Sequence, residues 1–186
     1  MNKFFKSAIL SIALTTTSIF ANVVQPTGKT TFEVQSDDGQ VLRTSNLKGQ
    51  EFIVVSVREA GSDGRFYAVD RDGVVWWSGI IASGADDYKT PSGIYTVLRK
   101  RRTYMSKAYP EDNGVDNMDF AIFFTNQGHA LHMGSVNWMS HGCIHIAPKD
   151  ISVLFNWAKI GETKVIITRK SYMPYAKQDL MKFGVR

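Results

Sequence analysis

The sequence has almost no cysteine, and it has no acidic residue in the stretch that contains its cysteine and its histidines. Cys143 is the single cysteine of the 186 residues, so an intrachain disulfide is excluded. All four histidines lie with it in the stretch HALHMGSVNWMSHGCIHI, residues 129–146, which contains no aspartate or glutamate. Histidine and cysteine serve both covalent catalysis and metal binding. The stretch is therefore a candidate active site or a candidate zinc site.

The sequence also lacks an apolar run long enough for a convincing membrane span. The longest run, Ala8 to Phe20, is short and rich in threonine, follows Lys3 and Lys6, and precedes the small residue Ala21. This layout is typical of a secretory signal peptide, predicted over residues 1–21. We expect an exported protein of the periplasm or cell envelope, with no stable membrane span after cleavage.

A strong charge of either sign is missing as well. Lysine and arginine number 22 against 17 acidic residues, a net charge of +5, which does not indicate a nucleic-acid partner. No repeat or low-complexity segment is present, and 44% of residues are apolar. Residues 22–186 are therefore predicted to form one compact domain, with a core over about 52–168 and a tail at 171–186 that has room for a short helix.

The order of segments predicts a mainly β protein, mostly antiparallel. Short β-branched and aromatic segments are separated by glycine, aspartate and asparagine: TTFEVQ and VLRT around SDDGQ, then EFIVVSV, RFYAVD and GVVWWSGIIAS. A strand is predicted at about 94–98 after the turn TPSG, a buried pair over DFAIFFT and HALHM, and a closing strand at TKVIIT. A helix from Pro148 to Gly161 is predicted from apolar residues at helical spacing.

The segment from Arg99 to Met118 is polar and has neither strand nor helix period. At this length it exceeds the usual connection, and long loops in compact domains are often lids or binding loops. We therefore expect a lid. The basic cluster at its start, residues 99–102, is interpreted as a solvated strand end.

The histidine cluster allows two chemistries. His141, Cys143 and His145 alternate and would share one face of a strand, yet no carboxylate accompanies them and the spacing matches no common structural zinc pattern, so no metal is predicted. Covalent catalysis needs a base near the thiol, which His141 or His132 can supply. Gly142, without a side chain, allows backbone N–H groups to face a carbonyl oxygen as an oxyanion hole.

SHGCIHI resembles the signature of the L,D-transpeptidases, the YkuD-type catalytic domain, in its short-spacer branch with a histidine, a glycine and then SHGC. SGIIASGADDYKTPSGIYTV and GCIHIAPKDISVLFNWAKIGETKVII are similar to two further segments of that family, in the same order. The resemblance covers about Phe52 to Ile167. It implies a mixed β-sandwich or barrel-like catalytic domain with one or two helices near the C-terminus, and no cofactor.

Carried over to this sequence, the resemblance implies that Cys143 is the nucleophile and His132 the general base, oriented by a backbone carbonyl just after it. It also implies that four residues shape the oxyanion hole and the pocket: Met133, Ser140, His141 and Gly142. The backbone N–H groups of Gly142 and Cys143 are the implied oxyanion donors. The implied reaction forms a thioester with a peptidoglycan stem tetrapeptide, releases D-alanine and transfers the acyl group to an amine, giving a 3–3 cross-link or lipoprotein attachment. Hydrolysis by an L,D-carboxypeptidase, another peptidoglycan hydrolase or a toxin would use the same cysteine. A wall-binding module and a zinc protein remain alternatives of another class.

The sequence departs from the family pattern two residues after the cysteine. His145 stands where arginine or asparagine is common, which makes it a candidate substrate contact together with Trp138 and Tyr95. Ala147 replaces the usual polar helix cap, which is expected to lower the stability of the helix by about 1 kcal/mol. His129, between apolar neighbours, is interpreted as structural.

Overall fold

The computed structural model describes residues 22–57, 64–110 and 117–184. The predicted signal peptide lies outside the described residues, as does part of the predicted lid, residues 111–116. The described chain forms twelve strands and two α-helices: β1 Val23–Pro26, β2 Thr31–Gln35, β3 Val41–Asn46, β4 Phe52–Ser56, β5 Arg65–Val69, β6 Val75–Ala82, β7 Gly93–Thr96, β8 Arg99–Arg101, β9 Ala121–Phe123, β10 Ala130–Met133, β11 Ile144–Ile146, α1 Pro148–Trp157, β12 Lys164–Thr168 and α2 Met173–Phe183. The mainly β prediction is confirmed.

The strands form two sheets. One has three strands in the order β1-β2-β3, and the other is a curled sheet of nine strands in the order β7-β12-β4-β5-β6-β11-β10-β9-β8. Their pairs are antiparallel except β4 with β12 and β10 with β11, which are parallel. A parallel pair needs a crossover between its strands rather than a hairpin. The chain between His132 and Cys143 is therefore a crossover connection and not a hairpin.

Strand β4 shows why the large sheet has a core on each face. All five residues of its sequence FIVVS are buried, the pattern of a central strand covered on both sides. Ile53 and Val55 pack into the core beneath α1, whereas Phe52 and Val54 pack into the core formed with the three-stranded sheet and α2. Because successive side chains point to opposite faces, one apolar run supplies both cores.

Helix α1 begins where it was predicted and ends earlier. Pro148 occupies its first turn, and the Ala147 cap makes no side-chain hydrogen bond, as the sequence indicated. The helix ends at Trp157 rather than at Gly161, because the Lys159 N–H donates to Thr163 Oγ1 and the Gly161 N–H donates to the Val97 carbonyl. Tertiary partners thus replace the last predicted turn.

Two adjacent tryptophans, Trp76 and Trp77, pack against the same core, although regular alternation along a strand would point them to opposite faces. The pairing of β5 with β6 shifts register between Ala68 and Val69, so that Trp76 is an extra residue on β6. Such a bulge bends the strand and redirects its side chains. The Trp76 ring lies 5.2 Å from that of Trp157 at the end of α1.

The basic cluster at residues 99–102 begins with a strand and not with a loop. Strand β8 pairs with β9 at the edge of the large sheet, so the predicted loop boundary at Arg99 is wrong. Arg99 lies 4.0 Å from the centre of the Phe123 ring, and Lys100 lies 4.6 Å from that of Phe155. These cation–π contacts explain a charge cluster that has no strand-like pattern.

No helix among the described residues has the length and hydropathy to cross a bilayer.

Candidate active site

The parallel pair of β10 and β11 brings the histidine cluster together. Their register places His132 opposite His145 and extends to place Cys143 level with Ala130. The intervening Leu131 and the flanking isoleucines of β11 face the main core, so the two histidines point to the other face. That face borders a cavity of about 640 Å³, to which Cys143 also contributes.

His132 is held in one orientation by its own strand. Its Nδ1 lies 2.9 Å from the carbonyl oxygen of Met133, which matches the backbone contact expected from the sequence. A carbonyl oxygen only accepts, so Nδ1 carries the proton and Nε2 keeps its lone pair. Burial, together with the positive form of His145, lowers the pKa of His132 to about 4, while the Met133 carbonyl opposes this shift. The ring is therefore a neutral base at physiological pH.

Cys143 is a half-buried thiol in the resting structure. Its Sγ lies 3.9 Å from the Gly128 carbonyl oxygen, and its side chain packs against a small cluster around Phe123. Burial raises the pKa of the thiol, and the Ala130 backbone amide partly offsets this. Within the described residues, no hydrogen bond joins the thiol to His132. The pair is thus a neutral thiol and a neutral imidazole, so proton transfer would accompany nucleophilic attack.

The turn before Cys143 is built by Ser140 and Gly142. Ser140 Oγ donates to the Cys143 carbonyl and accepts the Gly142 N–H at 3.0 Å. Gly142 has φ 108°, and a Cβ added there would lie 3.1 Å from the His129 ring. Because its N–H is already donated to Ser140, Gly142 is not a free oxyanion donor in this structure. The Cys143 N–H is the remaining candidate.

Thr90 is the residue that joins this turn to the rest of the fold. Its buried hydroxyl accepts the Gly84 N–H at 3.1 Å and donates to the Gly142 carbonyl at 2.9 Å. Gly84 must be a glycine, since a Cβ there would come within 2.8 Å of the Gly142 Cα. The sequence contained a signal, the segment TPSG, but did not reveal this role.

We expect Thr90→Val to destabilise the protein by about 1–3 kcal/mol and to slow acylation of Cys143. The isosteric change leaves a buried N–H and a buried carbonyl unpaired next to Cys143. Urea denaturation and the rate of adduct formation with a thiol-acylating β-lactam measure the two effects. Thr168→Val is the matched control, since that buried hydroxyl bonds the Val24 carbonyl and lies outside the cavity lining. A similar loss of stability without slower acylation is expected there; equal slowing in both variants would contradict a local role of Thr90.

His141 and His129 have other partners. The exposed His141 ring stacks on Tyr109 at 3.9 Å and meets the edge of Tyr88 at 4.7 Å. The backbone N–H of His129 donates to Thr125 Oγ1, and its Nδ1 lies 2.9 Å from the same hydroxyl. Both histidines line the cavity. Tyr109 belongs to the predicted lid, and no sequence pattern pointed to its contact with His141.

Two predicted site residues do not face the cavity. Tyr95 donates its hydroxyl to the carbonyls of Pro91 and Ser92 and lines a separate cavity beside β3, so its prediction as a substrate contact is not supported. The Met133 side chain packs against the main core, and only its carbonyl serves the site, through His132. Trp138, by contrast, borders the cavity and is 69% exposed.

No group of three or more histidine, cysteine or acidic side chains has the arrangement of a metal site in the part of the chain that is described. The Nδ1 atoms of His132 and His145 are hydrogen-bonded to the carbonyls of Met133 and Ser135. The geometry brings a thiol, a neutral imidazole and a shaped turn to one cavity. These are the components of a cysteine acyl-transfer site.

The curled sheet and this site define a protein of the L,D-transpeptidase fold. The YkuD family, described as the L,D-transpeptidase catalytic domain, matches residues 50–167. The chain belongs to this family.

Similar proteins agree with this assignment. The curated "Probable L,D-transpeptidase 3" of Mycobacterium tuberculosis is 29% identical over 99 residues, which cover 45% of this chain and 36% of that relative. An L,D-transpeptidase structure from the same species has a TM-score of 0.53 and 21% identity, covering 80% of this chain and 76% of its own. One from Stackebrandtia nassauensis has a TM-score of 0.54 and 21% identity, with coverages of 64% and 56%. At these identities the solved structures show the fold.

Proposed function

We propose that the protein is a peptidoglycan L,D-transpeptidase that uses Cys143 as nucleophile and His132 as base. One observation carries the proposal: both side chains border one cavity, and the Met133 carbonyl holds His132 with Nε2 free to accept a proton. The substrate class comes from the family. We further propose that the protein acts outside the cytoplasm, in the periplasm or cell envelope, after removal of residues 1–21.

In the acylation step, Cys143 Sγ attacks the carbonyl carbon of the third stem residue, a diaminopimelate. Its proton passes to His132 Nε2, and the Cys143 N–H stabilises the developing oxyanion. The proton is then given to the amino group of the terminal D-alanine as the C–N bond breaks. D-Alanine leaves, and a thioester remains on Cys143.

In the second step, an amine of a neighbouring stem attacks the thioester. His132 takes a proton from the amine and returns it to the sulfur as the C–S bond breaks. The product is a 3–3 cross-link, or a protein attached to the wall if the amine belongs to a lipoprotein lysine. Water in place of the amine would make the protein an L,D-carboxypeptidase.

The decisive experiment is mass spectrometry of muropeptides after incubation with the purified protein. We expect loss of tetrapeptide stems with release of D-alanine, and new dimers whose mass corresponds to a 3–3 cross-link. Tripeptides without dimers would assign hydrolysis instead. Unchanged muropeptides would contradict both reactions and favour a wall-binding role.

A carbapenem is expected to add one drug mass to the protein, at Cys143. A strained β-lactam carbonyl is an activated acyl donor, and a structure of L,D-transpeptidase 3 from M. tuberculosis contains a faropenem-derived adduct. Intact-protein and peptide mass spectrometry measure the adduct. Absence of the adduct in a folded protein whose thiol reacts with a small alkylating reagent would contradict an active nucleophile.

A further inference from the structure

His145 contacts both the catalytic base and the loop beside the cavity. Its ring lies 4.9 Å from that of His132, at an angle of 77°. On its other side it covers the start of residues 134–139, here called the rim loop: a Cβ on Gly134 would come within 2.7 Å of His145 Cγ. Nδ1 lies 3.0 Å from the Ser135 carbonyl, and the Trp138 carbonyl also faces the ring.

The rim loop has few other ties to the fold. At one end the Gly134 N–H donates to the Ile146 carbonyl, and beyond the other end the Ser140 N–H donates to the Ser83 carbonyl. Between these anchors, the Asn137 N–H donates to Ser135 Oγ within the loop. The described hydrogen bonds that reach the loop's backbone from outside come from His145. The loop carries Trp138 and Met139, both exposed at the cavity. His145 is thus placed to set the position of this wall.

The charge on His145 also affects its neighbour. Among the residues that the structure describes, the ionisable side chains that face it are His132 from β10 and His141 from the turn before β11. Burial lowers the pKa of His145, the Ser135 and Trp138 carbonyls partly offset this, and His141 lowers it further. A protonated His145 would donate to both carbonyls. Its positive charge would then oppose proton uptake by His132, since like charges at this separation repel.

We propose that His145 is a positioning residue, which holds the rim loop through Ser135 and whose charge state controls the basicity of His132. This inference rests on the proposed function and gives His145 a role different from the predicted contact with substrate. When His145 is neutral, His132 can take the thiol proton. When acid protonates His145 first, His132 becomes a weaker base and acylation slows, so the acid limb of the reaction follows His145.

Two variants separate the roles of His145. His145→Asn keeps a donor for the Ser135 carbonyl but cannot be charged, whereas His145→Ala removes both. With a stem tetrapeptide as substrate, we expect KM to rise about fivefold in the alanine variant, the effect of one lost neutral hydrogen bond, and to return towards wild type in the asparagine variant. With a carbapenem, both variants should keep their acylation rate to lower pH than wild type. An unchanged KM in the alanine variant, failure of asparagine to restore it, or a wild-type acid limb in the asparagine variant would overturn the proposal.

The imidazole ¹⁵N resonances provide a test that does not depend on catalysis. At neutral pH the signals of His132 and His145 are expected in the Nδ1–H form, and in His145→Asn the titration of His132 should move to higher pH. A His132 titration that does not change in that variant would overturn the electrostatic role. If wild-type protein processes no stem peptide, the proposed function fails, whereas these spectra still decide the role of His145. Urea denaturation shows that each variant is folded.

Discussion

Cys143→Ala is expected to reduce stem-peptide processing by about 10⁴-fold or more, to the level of the uncatalysed control. The alanine side chain cannot form the thioester, so both steps of the proposed reaction are lost. The fold should remain, because Cys143 is only partly buried and its packing partners form a small cluster apart from the two main cores. Muropeptide mass spectrometry measures processing, and urea denaturation measures the free energy of unfolding.

The matched control is Cys143→Ser, which keeps the size and hydrogen-bonding ability of the side chain. A serine hydroxyl is a far weaker nucleophile beside a neutral imidazole, so only slight residual acylation is expected. Processing at the wild-type rate by the folded alanine variant would contradict covalent catalysis at Cys143.

His132→Asn is expected to lower the acylation rate of Cys143 by about 10²–10⁴-fold, the usual contribution of a general base. The substitution is chosen because the asparagine amide can still donate to the Met133 carbonyl, where Nδ1 now donates, while nothing replaces the lone pair of Nε2. The rate of carbapenem adduct formation measures the effect. His132→Ala, which also loses the bond to Met133, should be equally inactive but less stable.

His132→Asn is expected to lose less stability in acid than the wild-type protein does. His132 has a pKa of about 4 when folded against an ordinary 6.5. The unfolded chain therefore binds a proton that the folded chain resists, and wild-type stability falls as the pH drops from 6.5 towards 4. The asparagine variant lacks this loss. Urea denaturation at neutral pH and at about pH 5 should show a smaller decrease for His132→Asn than for wild type; equal decreases would show that His132 is not a buried neutral group.

The sequence predicted those strands and helices whose signals lie within a few neighbouring residues. The hairpin of β2 and β3, the central strands β4 to β6 and the start of α1 follow from alternation, turn residues and Pro148. Strand β1 was missed, and β8 was interpreted as the solvated end of a strand at the start of a loop and not as a strand of its own. Each is short, and β8 consists of charged residues whose strand state depends on pairing with β9 and on aromatic rings from other elements.

The chemistry of the site shows the same division. Residue types and the SHGC motif single out Cys143 and His132 as the proposed nucleophile and base, because covalent catalysis needs a thiol and an imidazole whatever surrounds them. The motif did not reveal that the Gly142 N–H is donated to Ser140, or that Tyr95 lies at another cavity. Those facts depend on how the turn closes on itself and on which strand faces which sheet.

Chain order and residue type thus determine a mainly β protein of the L,D-transpeptidase family, since alternation, turns and a short motif are short-range features. The environment of the reactive groups arises from the parallel pairing of β10 and β11, which places His145 beside His132 and buries both rings. Contacts between residues distant in the chain, such as Thr90 with Gly142, complete the turn before Cys143. Strand register and burial are properties of the packed chain as a whole, and for that reason the protonation states of this site became visible only in three dimensions.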